Sequence, residues 1–171
     1  MTALMTAVEK QDAAGVGALI RGGADVNELD AGGNAPLVIA AYKGYTEIVR
    51  LLLAAGADVA AVDPDMRATA LHAAAYAGRA AAARLLIQAG IDIDRQGPKN
   101  GYTALHDAVW QNHVETAKVL VDAGADLQLR SHAGETALEL ARAKKRREIA
   151  ALIEAAPARA VTRRRRGEGG R

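Results

Sequence analysis

The sequence predicts an all-α solenoid, a stack of helical units with a period of about 33 residues, and three observations carry that prediction. The first is the stretch Gly101-Tyr102-Thr103-Ala104-Leu105-His106-Asp107-Ala108, which matches the chain again from Gly33, Arg67 and Gly134 and, in part, from Thr2. Its anchor leucines are Leu4, Leu37, Leu71, Leu105 and Leu138, so successive steps are equal to within one position. The second is Gly-Ala-Asp at Gly23, Gly56 and Gly124, with Gly-Ile-Asp at Gly90, each glycine at one constant interval after its leucine. From that glycine to the next leucine the interval varies by one, so the variable part is a loop. The third is composition: 50% of the 171 residues are apolar, yet aromatics make up 3% and Phe is absent. A core of Ala, Leu, Ile and Val suits thin layers of close-packed helices.

Each unit can be built in chain order. Thr2, Thr69, Thr103 and Thr136 stand two positions before their leucines, where a hydroxyl can accept a bond from a free N–H of the first helical turn. In the second unit Ala35 replaces Thr, but Pro36 follows, and proline fits the first helical position. Thr136 and Glu139 have the spacing of a capping box. This first helix should stop two turns past the leucine, at Gly44, Gly78 and Asn112, residue types that tolerate a left-handed end. A second helix then runs through Ile48, Val49, Leu51, Leu52 and Leu53, or Val114, Ala117, Val119, Leu120 and Val121, and stops at the Gly-Ala-Asp glycine. Residues 26–34 and 93–102 are polar and bear Gly and Asp, as a projecting, hairpin-like finger would. Neither helix can bury its apolar face alone, so the units must stack.

The Thr-x-Leu-His start, Gly-Ala-Asp-Val and the period between them resemble the ankyrin repeat over residues 2 to about 155. The resemblance implies right-angled, L-shaped repeats in a curved array, near residues 2–33, 34–67, 68–101, 102–134 and 135–156, in one domain of residues 1–156. It also implies a protein-binding module. Departures fall at Arg67, where the family has Gly, and at Met5 and Val38, where it has His. The fingers before Leu71 and Leu105 carry one extra residue each, near Pro64 and Pro98, and should depart from the standard turn. The ends read as caps: Gly15 and Gly17 make the first unit irregular, and the run from Lys144 to Glu148 gives the last a polar outer surface.

The net charge of +2 divides unevenly. Residues 157–171 carry +5 and the rest carries −3, so the pI near 9.0 belongs to a basic tail with little to bury, expected to be disordered. Its run Arg163, Arg164, Arg165, Arg166 reads as a solvated tail, a contact to a polyanion or an import signal. A nucleic-acid-associated regulator is therefore the rival reading, weakened by the lack of interleaved aromatics. No stretch has the roughly 18 to 20 apolar residues that span a bilayer. No secretory signal is visible after Met1, so a cytoplasmic, monomeric protein is expected. There is no Cys, no His-x-x-x-His pair and no phosphate-binding glycine spacing, so no metal, cofactor or catalytic residue is assigned. His72 and His106 recur at one place in neighbouring units, and the resemblance makes them structural, tying cap to next repeat. His113 and His132 stand alone and are expected to be exposed.

The candidate site follows from what the stack does not need. With the anchor leucine at zero and roughly 100° per residue, positions +3, +4 and +7 form the core stripe, while +5 falls on the far side. Position +5 reads Glu9, Tyr42, Tyr76, Trp110 and Ala143, so three of the five aromatics share one outward column. The column could cover aliphatic neighbours and stabilise the stack, or anchor a partner, and Tyr and Trp are the usual anchors. The resemblance puts this face in a concave groove and makes Tyr42, Lys43, Tyr76, Asp107, Trp110 and Gln111 groove residues. It makes Asn34, Met66, Tyr102, His132 and Glu135 the matching finger residues, with another protein as the partner.

Overall fold

The computed structural model describes residues 2–157. The expected disordered tail, with Arg163, Arg164, Arg165 and Arg166, lies outside the described residues. Ten helices are present among those described, in five helix–turn–helix pairs: α1 (Ala3–Glu9) with α2 (Ala13–Arg21), α3 (Pro36–Lys43) with α4 (Thr46–Ala54), α5 (Ala70–Tyr76) with α6 (Ala80–Gln88), α7 (Ala104–Gln111) with α8 (Val114–Asp122), and α9 (Ala137–Ala143) with α10 (Arg147–Glu154). Odd-numbered helices pack on one another in an inner row, and even-numbered helices do the same in an outer row. The result is a helical solenoid, held by nearest neighbours. None of these helices is long and apolar enough to cross a membrane.

Caps set the helix starts. Thr2, Thr69, Thr103 and Thr136 accept from the backbone N–H of Met5, His72, His106 and Glu139, and Ala35 makes no side-chain bond while Pro36 opens its helix. Glu139 closes the capping box, its Oε2 accepting from Thr136 N at 2.8 Å. A left-handed residue follows each inner helix, at Gln11, Gly44, Gly78, Asn112 and Lys145. Gly44 and Gly78 are required for a second reason. A Cβ on Gly44 would stand 2.6 Å from the Arg79 side chain, and one on Gly78 would stand 2.6 Å from the His113 ring.

The inner row is alanine-rich. Ala40, Ala41, Ala74, Ala75, Ala108 and Ala141 are fully buried, and such small side chains let helices approach at the low end of the roughly 8–10 Å range. Leu4, Leu37, Leu71 and Leu105 are buried to within 2% of full. Leu138 departs from the other anchors: it is only half-buried, because among the described residues no further unit covers it, while Leu140 beside it is buried. Met5 and Val38, at the family's histidine position, are buried among apolar neighbours. Gly15 and Gly17 do not break α2, which runs unbroken from Ala13 to Arg21.

Finger length behaves as the extra residues require. The fingers with a closing bond at Asp30 N to Asn34 O and Ser131 N to Glu135 O have shorter tips than those at Asp63 N to Ala68 O and Gly97 N to Tyr102 O. Pro64 and Pro98 sit inside the two longer tips. The Asp63 carboxylate holds its tip together, accepting from the N–H groups of Asp65, Met66 and Ala68. Arg67 keeps the left-handed conformation that glycine holds in the other fingers, at φ 57°.

Candidate functional site

Between the inner helices and the fingers lies a groove of about 1030 Å³. Its floor is the outward face of α3, α5 and α7, and its wall is the tips of the second and third fingers. Tyr42 and Tyr76 are each 47% exposed and Trp110 is 41% exposed, large values for rings in a chain with so few aromatics. They stand in one column because they hold the same place in three successive repeats.

Eight of the predicted residues line this groove: Asn34, Tyr42, Lys43, Met66, Tyr76, Tyr102, Asp107 and Trp110. The other three do not. Gln111 is half-buried at the end of α7, Glu135 is half-buried in the last finger, and His132 is exposed there, its N–H donating to Asn100 O at 2.9 Å. The groove also takes in Glu9, which the sequence placed on the outward column, and Ile39, Ala73, Asp63 and Asp65, which sequence reasoning did not single out. Ile39 and Ala73 share the +2 position with Asp107, a signal that was legible in the period.

The histidines hold the wall in place. His72 Nδ1 faces the Thr69 hydroxyl at 2.8 Å and Nε2 faces Tyr102 O at 3.1 Å. His106 repeats this with Thr103 at 2.9 Å and Glu135 O at 3.1 Å. A carbonyl can only accept, so Nε2 carries the proton and Nδ1 accepts. Burial holds both rings below the usual imidazole pKa. With both nitrogens of each ring committed, these two side chains are structural ties between one repeat and the finger of the next. Tyr102, so anchored, stacks on the His106 ring at 5.3 Å and tilts against Trp110 at 6.1 Å.

One expectation fails. His113 is half-buried and not alone: its Nε2 meets Tyr76 O at 3.1 Å. Arg79 Nε donates to Tyr42 O at 3.2 Å and an Arg146 terminal nitrogen to Trp110 O at 3.2 Å. The three carbonyls belong to the aromatic column itself, so these bonds fix its backbone without engaging its rings. Gly44 and Gly78 make room for the first two.

Charge in the groove is mostly negative. Glu9, Asp63, Asp65 and Asp107 face it against Lys43. Asp107 sits half-buried with no ion pair among the described residues, and burial pushes its carboxyl up to about 7. Burial, then Glu135 and Asp107, raise the Tyr102 hydroxyl. At the far end Lys144 places its ammonium 3.7 Å from the centre of the Trp110 ring, a cation–π contact that was not foreseen. Chemically, the site offers ring faces, a thioether and carboxylates, a surface for binding.

A family model described as ankyrin repeats (3 copies) matches residues 1–63 and again residues 59–131. No curated protein matches the chain. The period, the paired helices and a match over most of the chain agree, and the chain belongs to the ankyrin-repeat family, whose repeats bind other proteins.

Proposed function

We propose that this is a non-catalytic adaptor, a unit of residues 1–156 that holds a partner protein against the inner helices and finger tips. The carrying observation is the column of Tyr42, Tyr76 and Trp110, between 41% and 47% exposed along one groove. Exposed apolar surface costs solubility, and a contiguous column of half-exposed rings marks a contact site. Tyr and Trp also bind with little loss of side-chain freedom and dominate interface energetics. Asn34, Lys43, Met66, Tyr102 and Asp107 complete the contact surface, and Gln111, His132 and Glu135 would extend it over the last repeat for a longer partner.

The test is capture on immobilised full-length chain, followed by mass spectrometry, beside the Tyr76→Ala/Trp110→Ala double variant. A protein retained by the native chain should lose at least about 2 kcal/mol of binding to a double variant that still folds. Equal retention by both would place the site elsewhere.

A further inference from the structure

Four carboxylates line the groove, Glu9, Asp63, Asp65 and Asp107, against one cation, Lys43. Among the described residues the ion pairs are Arg50 with Glu47, Arg84 with Glu115, Lys118 with Asp122, Arg130 with Glu139 and Arg142 with Glu154. None of these carboxylates lines the groove. Glu9, Asp65 and Asp107 line it and take part in no ion pair among the described residues. Asp107 is the most telling, because it is half-buried beside Trp110 and Tyr102, where an unpaired carboxylate is disfavoured.

The ring faces point to the same chemistry. Lys144 already lays its ammonium on Trp110, so an aromatic face of this column binds a cation inside the folded chain. Tyr76 offers a face of the same column one repeat away, with no cation over it among the described residues. Carboxylates and aromatic faces together are the surroundings that suit a guanidinium or ammonium, since the carboxylate pairs its charge and the ring face attracts it through the quadrupole.

We propose that the groove seats a basic, extended segment of a partner protein, with an arginine or lysine side chain laid on the Tyr76 ring beside the Lys144-capped Trp110, and the segment's cations paired with Asp107 and Asp65. This rests on the groove being the binding site, and names what it selects. One ring per repeat along the column, with carboxylates beside it, asks for cationic side chains spaced to match successive repeats, roughly 8–10 Å apart. An extended strand brings side chains of one face back about every 6.6 Å, and the long stems of Arg and Lys can span the difference, so cations at every second residue fit.

Three synthetic peptides of equal length, each long enough to lie along the groove, test it; they are built from Arg and Ser, from Gln and Ser, and from Glu and Ser in one pattern. Each is titrated into the full-length chain and followed by Trp110 emission. The Arg peptide should bind at least tenfold more tightly than the Gln peptide and the Glu peptide should not bind. Asp107→Asn and, separately, Asp65→Asn should each weaken the Arg peptide about fivefold or more. Asp65 is exposed, so its variant stays informative should Asp107→Asn disturb the fold. Gln and Arg peptides binding alike, both lost with Tyr76→Ala, would overturn the cation assignment and leave the groove reading standing. Binding that ignores Tyr76→Ala, or none with any peptide, would count against both. A chain with Arg163, Arg164, Arg165 and Arg166 all replaced by Ser should bind the Arg peptide unchanged. A gain of tenfold would assign the groove to the chain's own run and overturn the partner.

Discussion

His106 and Trp110 stand one turn apart on α7, as His72 and Tyr76 do on α5, yet the two columns they form are used in opposite ways. The histidines are buried, with both ring nitrogens engaged across two repeats. The aromatics are tied across repeats through their backbone carbonyls, and their rings remain 41–47% exposed, with Lys144 and Tyr102 touching that of Trp110. Periodicity alone does not separate a structural column from a functional one. Where the polar and apolar groups find their partners does: a side chain already satisfied inside the stack contributes stability, and one left unsatisfied contributes a surface.

The sharpest break of that comparison uses a scale from the core. Leu105→Ala, one residue before His106 and 1% exposed, should cost about 2–5 kcal/mol in a urea melt. His106→Ala should follow, at about 1–3 kcal/mol, because Glu135 O and the Thr103 cap lose a buried partner. A loss below about 0.5 kcal/mol, the usual surface range, would make the histidine column dispensable.

Acidity separates the columns further. The folded chain holds His72 and His106 below their ordinary value of 6.5, so it favours the neutral rings. Their contribution is full above pH 6.5 and falls as pH drops, because the unfolded chain takes up protons first. Asp107 has the opposite sign. Its folded carboxyl lies at about 7 against 3.8, so stability falls as pH rises between those values. Stability measured from about pH 4 to 8 should therefore keep its acid-side loss in Asp107→Asn but shed the loss on the rising side. An unchanged profile in that variant would show a fully solvated carboxylate.

Arg67→Gly should raise stability by about 0.5–1 kcal/mol, since it relieves a left-handed residue in the finger beside Met66. Groove binding should stay as it is. Smallest of all, Tyr76→Ala should change stability by no more than about 0.5–1 kcal/mol.

Much of this was legible in the sequence, and the limits have a common cause. Leucine and glycine spacings repeat four times, so caps, left-handed ends and finger lengths could be placed residue by residue. The outward column followed from helical geometry. What escaped were contacts between repeats that depend on a missing Cβ or on a long side chain's reach: His113 to Tyr76 over Gly78, and Lys144 over Trp110. A signal existed for the first, since Arg79, His113 and Arg146 recur at one place in three successive repeats. Asp63 and Asp65 line the wall from the longer second finger, and the length that the spacing showed does not say where a tip points. Leu138 misled because its motif matches the inner anchors even though the polar run from Lys144 to Glu148 marked its unit as a cap.

Trp110 is the chain's single tryptophan, and acrylamide quenching of its emission tests most directly that the aromatic column is a binding surface. In the free chain it should be readily quenched with red-shifted emission, as a ring 41% exposed requires. A protein captured through the groove should shift that emission blue and protect it. A free chain whose Trp110 is already blue-shifted and shielded, and which a bound partner leaves unchanged, would make the column packing and contradict the account.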